Sequence, residues 1–185
     1  MIKNNLLNDL IENLRKNNEV KNEQLKDIKK MKAVLFMGKG KDGESKYVTD
    51  KMRSWAESRG LKIIFEAPAK YDDEDCATHY CKMLDHPIYP ELRDYITGGI
   101  SYGMIVLGTP EQLREFKRSI GKAVNPAADT LRGIMFAETG RTEDKNFVHC
   151  SDVDELDLDG KPLAMKEISN FKNVAEKTKN LGLGL

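Results

Sequence analysis

His149 closes a short apolar run, Phe147-Val148-His149, and its neighbours are residue types that handle anions. Arg132 and Arg141 precede it, Asn146 lies three residues before it, and Ser151-Asp152 follows. An imidazole can act as a nucleophile near neutral pH without a separate activating base. Guanidinium groups form the usual fork for phosphate oxygens. A histidine held on a rigid strand among arginines therefore points to phosphoryl chemistry. The plainer reading is a strand-end histidine with solvated arginines around it, and for a lone histidine that reading carries more weight.

The stretch needs a scaffold, and the rest of the chain predicts one. Ala33-Val34-Leu35-Phe36-Met37 is continuously apolar and reads as a buried strand. It runs into the loop Gly38-Lys39-Gly40-Lys41-Asp42-Gly43, whose glycine spacing resembles a phosphate cradle. The required lysine after the second glycine is Glu44, so a P-loop is excluded and a basic, glycine-rich loop remains. A helix follows with Val48, Met52, Trp55 and Ala56 on one face and Gly60 as its stop. Leu61 to Ala67 alternates as a strand, with Leu61, Ile63 and Phe65 on one side. A second helix carries Cys76, Tyr80, Met83 and Leu84 on its apolar face, and Pro87 breaks it. A short helix over Glu91 to Thr97 and a strand over Ser101 to Leu107 come next. Thr109-Pro110-Glu111-Gln112 has the residues of a capping box and starts a helix with Leu113, Phe116 and Ile120 facing inwards. Arg114, Lys117 and Arg118 project from its other flank, which matters if the histidine lies opposite. The last helix, Leu163 to Lys177, is expected to bury Met165, Ile168, Phe171 and Val174. Asp152 to Gly160 is an acidic, exposed loop. Its likeness to a calcium loop fails at Lys166, where a glutamate is needed.

Strands alternating with helices predict an α/β sandwich, and four strands with two main crossover helices fit a ferredoxin-like βαββαβ core with a four-stranded antiparallel sheet. Residues 1–30 read as a helical N-terminal extension, with Leu6, Leu7, Leu10, Ile11 and Leu14 at helical spacing. Residues 31–178 form the domain, and 179–185 a flexible tail. Thirty basic and thirty acidic residues cancel, which gives no field towards nucleic acid or an anionic membrane. No apolar run is long enough to span a bilayer. Three scattered cysteines, Cys76, Cys81 and Cys150, argue against a disulfide framework and for a reducing cytoplasm.

The segment RG…ETGR…N-x-x-H-x-SD resembles the active-site signature of the nucleoside diphosphate kinases. The likeness extends from about Lys32 to Phe171. It takes in His79-Tyr80, Pro87 with Tyr89-Pro90-Glu91-Leu92, Tyr95-Ile96 with Gly98-Gly99, Asn125-Pro126-Ala127 and Lys166-Glu167-Ile168. The resemblance implies a two-step exchange in which His149 takes the γ-phosphate of a nucleoside triphosphate and passes it to a nucleoside diphosphate. It implies that Arg118 and Arg132 bind phosphate and that Asn146 reaches sugar hydroxyls and phosphates. Tyr80 would line the site, Glu167 orient the imidazole, and Ser151 stand beside it. Magnesium would arrive on the nucleotide phosphates, without a protein cage, and the chain would be a homo-oligomer built from dimers. The chain departs from the family pattern at several positions. Gly40 stands at the lysine position, with Lys39 and Lys41 as neighbours able to replace it. Ile88 stands at the base-stacking aromatic and Val124 at a phosphate-contacting threonine. Cys150 follows the histidine in place of glycine, and Thr142 to Lys145 is an insertion. These departures leave a second reading open, a catalytically weakened nucleotide-binding or regulatory module on the same fold.

Overall fold

The computed structural model describes residues 30–141 and 146–183. All but the last residue of the expected N-terminal extension, and the insertion at 142–145, lie outside these. The described chain runs β1 (Lys32–Gly38), a 3-10 turn (Gly40–Asp42), α1 (Lys46–Glu57), β2 (Lys62–Ala69), α2 (Asp73–His79), α3 (Tyr89–Thr97), β3 (Ser101–Gly108), α4 (Pro110–Ile120), α5 (Leu131–Thr139), β4 (Val148–Cys150) and α6 (Leu163–Asn180). The strands form one sheet in the order β2-β3-β1-β4, with every neighbouring pair antiparallel. This is the expected ferredoxin-like sandwich, with β3 inserted between β1 and β2.

Period-2 alternation along β1 and β3 sends their side chains to opposite faces. Val34, Phe36, Met104 and Val106 pack under α1, α4 and α5, through Met52, Phe116 and Met135 among others. Leu35, Met37 and Ile105 face the other way, against Ile168, Phe171 and Val174 of α6 and Cys76 of α2. His149 pairs with Met37 across the sheet and so stands on this second face.

Several expectations are corrected. The pairing of β2 shifts between Ile63 and Phe65, so Ile63 sits opposite Val106 and Phe65 opposite Ile105. The bulge sends the two side chains to different faces, which strict alternation could not anticipate. The second helix stops at His79, where Tyr80 leaves helical geometry, and Leu84 beyond it is exposed. Met165 is exposed on α6, while Ala164 and Glu167 turn inwards. Helix α5 occupies the start of the histidine stretch, where the sequence reading places no helix. Thr130 caps it by accepting from the Gly133 N–H. The capping box at Thr109 and Gln112 forms as expected.

Gly103 on β3 lets α6 approach the sheet, because a Cβ there would stand 2.4 Å from the Phe171 ring. Gly103→Ala should therefore destabilise the fold by about 1–3 kcal/mol, the range for overpacking a filled core. Denaturant melts check it; an unchanged midpoint would show that α6 can withdraw freely.

Candidate active site

The site begins with α6, whose inward face carries a carboxylate. Glu167 is 3% exposed and meets His149 with Oε2 3.2 Å from the imidazole Nε2. Ser151 donates its hydroxyl to the same oxygen and accepts from the Leu35 backbone N–H at 3.2 Å. The backbone of β1 thus fixes Ser151, Ser151 fixes Glu167, and Glu167 fixes the imidazole. A carboxylate accepts only, so Nε2 carries the proton and the lone pair sits on Nδ1. Two rings complete the clamp. His79 and Tyr80 each stand edge-on to His149, with centroids 5.0 and 5.5 Å away.

Burial lowers the His149 pKa more than the nearby Glu167 charge raises it, and Lys117 and Lys39 lower it further. The imidazole is therefore neutral at neutral pH. Burial acts to raise the Glu167 carboxyl, but His149, His79 and the Ser151 hydroxyl together outweigh it and hold the group below the usual carboxylate range.

In front of the imidazole is a cleft of about 230 Å³. Lys39, Tyr80, Arg132, Asn146, Ile88 and Val124 line it, so most of the site residues picked from sequence meet in one place. Arg132 on α5 donates to the carbonyls of Gly121 and Val148, both at 2.6 Å. Lys39 donates to Asn146 Oδ1 at 2.7 Å, which leaves the Asn146 amide hydrogens for a ligand. Lys39 is the lysine of this site, and the backbone explains its position. Gly40 has φ +50°, and a Cβ there would lie 2.1 Å from the Tyr95 carbonyl oxygen. No side chain fits at 40, so the amine comes from the residue before. Lys41 lines a different groove, with Glu91, Asp94, Tyr95 and Gly98, which His149 does not reach.

Arg118 stands apart. It is exposed on α4 and is not among the cleft residues. Leu113, Phe116 and Ile120 set the inward face, and the helical step of about 100° carries residue 118 out to solvent. Lys117 takes the inner flank instead and donates to the Cys150 carbonyl beside His149. Arg141, which looked like an anion ligand, is a tether. It makes a bidentate pair with Asp42, at 2.8 and 3.1 Å, and lies over the Phe147 ring at 4.2 Å. Tyr95 donates to the same carboxylate. No local motif marks this tether, which joins residues 99 positions apart.

Fold and site together define a ferredoxin-like sandwich with a neutral, carboxylate-held histidine facing a cationic cleft. Residues 41–167 match the family model described as nucleoside diphosphate kinase. A nucleoside diphosphate kinase of Methanosarcina mazei is 31% identical over 140 residues, covering 73% of this chain and 90% of that protein. One of Methanosphaera stadtmanae is 32% identical over 149 residues, covering 79% and 90%. Among solved structures, a halophilic nucleoside diphosphate kinase from Halobacterium salinarum in complex with CDP superposes with a TM-score of 0.62 at 24% identity, over 76% of this chain and 86% of that one. The enzyme from Aquifex aeolicus gives 0.61 at 19%, over 76% and 94%. The chain belongs to the nucleoside diphosphate kinase family. Lys39 lies just outside the matched segment.

Burial lowers the Lys39 pKa from 10.5 to about 7, with Arg132 and Arg141 adding to the effect and Asp42 opposing it. Between these values the unfolded chain binds more protons than the folded one, so stability rises with pH across that window. Below about pH 7 the full penalty of a buried ammonium is present. Lys39→Met should therefore stabilise more at pH 6 than at pH 9, by roughly 2–3 kcal/mol of difference. Denaturant melts at the two pH values decide this, and equal gains would contradict the depressed pKa.

Proposed function

We propose that the chain is a working nucleoside diphosphate kinase that passes a phosphoryl group through His149. The observation that carries this reading is the Glu167 hydrogen bond to Nε2, which leaves the Nδ1 lone pair as the nucleophile. In the first half-reaction Nδ1 attacks the γ-phosphorus of a nucleoside triphosphate. A P–N bond forms, the bond to the β-phosphate oxygen breaks, and the diphosphate leaves. In the second half a β-phosphate oxygen of another nucleoside diphosphate attacks, and the electron pair of the P–N bond returns to Nδ1. Lys39 and Arg132 offset the charge spread over the transferred group, and Asn146 offers its amide to the sugar or phosphates. Tyr80 lines the cleft, and Ser151 and Glu167 hold the nucleophile. Ile88, 38% exposed at the rim, covers the nucleoside end by apolar contact. Such contact discriminates little between bases. The relative from Halobacterium salinarum binds CDP, which agrees with a nucleotide in this cleft.

Magnesium fits this site only as a passenger. Glu91 is the one carboxylate among the described cleft residues, and the remainder are cationic, amide, aromatic or apolar save the histidine. Carried in on phosphate oxygens, the ion supplies charge neutralisation to the nucleotide. None of the helices of the described residues is long and apolar enough to cross a membrane. The three cysteines are free, which suits a reducing cytoplasm. We further propose a homo-oligomer built from dimers. The second reading, a weakened nucleotide-binding module, draws on Val124, whose apolar side chain is 58% exposed and offers no hydroxyl.

With magnesium and γ-labelled ATP, the chain should acquire acid-labile, base-stable label that a GDP chase removes. His149→Ala should take up none. Glu167→Gln should slow labelling on the order of a hundredfold, through loss of orientation. Nucleotide binding without label would overturn the reading in favour of the module.

A further inference from the structure

His79 has no part in the reaction proposed above, yet it is built into the wall of the site. Its residue is 1% exposed. Its Nδ1 lies 3.2 Å from the Tyr71 hydroxyl, while its Nε2 is buried with no hydrogen-bond partner. With the proton on Nδ1 and the Tyr71 hydroxyl accepting it, Nε2 presents a bare lone pair. One nitrogen of His79, one of His149 and a Glu167 oxygen all lie within 4.8 Å of one another.

We propose that His79, His149 and Glu167 bind a divalent cation of the zinc class, at a site separate from any magnesium carried by nucleotide. Two imidazoles and one carboxylate, with a fourth position open, are a zinc donor set, whereas magnesium prefers an oxygen octahedron. Tetrahedral bonds of about 2.0–2.1 Å put donors about 3.4 Å apart. The His149–Glu167 pair already stands at 3.2 Å, so closure is mainly a movement of the His79 ring. The outer partners that orient metal-bound ligands are in place as well: the Tyr71 hydroxyl stands 3.2 Å from His79 Nδ1, and Ser151 donates to Glu167. The cation enters past His149, whose side chain is 17% exposed against 5% for Glu167. Lys39, Lys117 and Arg132 repel it, which keeps the affinity below that of a structural zinc site and favours an anion or water as fourth ligand.

The consequence for activity rests on the phosphohistidine reading. A metal on His149 Nε2 displaces the proton there, and the neutral ring then carries its proton on Nδ1. The nucleophilic lone pair is lost, so bound metal and phosphoryl transfer exclude one another.

The chain has three histidines, His79, His86 and His149, so imidazole ¹⁵N NMR can follow each during titration with zinc chloride. One equivalent should shift His79 and His149 and leave His86 unmoved. Calorimetry should show at least about tenfold weaker binding for His79→Asn and for Glu167→Gln. If His79→Asn fails to fold, the NMR titration of the unaltered chain still decides. No binding up to millimolar zinc, binding that leaves His79 unmoved, or equal affinity in folded variants would overturn the proposal. Zinc at His79 and His149 in a chain that never takes up phosphate label would keep the metal site and remove the kinase reading.

Discussion

A single carboxylate oxygen holds the site together. Glu167 Oε2 meets both the Ser151 hydroxyl and the His149 imidazole, and the three groups draw on two layers of the fold, the sheet and α6. Ser151 is fixed by the backbone of β1, one of the two central strands of the sheet. His149 is fixed by its pairing with Met37 on that strand. Glu167 is fixed by α6, which lies against the sheet because Gly103 makes room for Phe171. The tautomer of one ring is therefore decided by the packing of a helix and two strands. Low exposure at this point strengthens the hydrogen bonds and keeps the imidazole neutral.

The cationic side of the cleft is supported in another way. Lys39 follows directly from β1, and its backbone N–H donates to the Phe147 carbonyl at 3.0 Å. The next residue turns through a left-handed conformation open to glycine, and Asp42 then receives both Arg141 and Tyr95. This tether holds the loop that presents the lysine, so a charge pair outside the cleft sets the position of a charge inside it. Arg132 spends two of its donors on backbone carbonyls and is held rigid by α5.

Much of this was legible in the sequence. The apolar runs of β1 and β3, the capping box at Thr109 and the spacing around His149 pointed to the sheet, α4 and the proposed nucleophile. These features are local, and their periodicity survives in the fold. Three kinds of feature escaped. The bulge in β2 is one extra residue whose effect appears only against a partner strand. That Lys39 and not Lys41 lines the cleft, and that Arg118 faces solvent, depends on backbone φ and on the angular position of a residue on a helix. The Arg141–Asp42–Tyr95 tether and the role of His79 join distant residues with no common motif. The family resemblance supplied the candidate residues; packing then decided which of the neighbouring cations line the cleft.

The account stands most directly on which nitrogen of His149 receives the phosphoryl group. Phosphorus NMR of the chain phosphorylated by ATP distinguishes the two ring positions. Phosphate on Nδ1 is the predicted result, because Glu167 holds the proton on Nε2. Phosphate on Nε2 would mean that the Glu167 hydrogen bond does not set the tautomer in solution, and would contradict the account at its base.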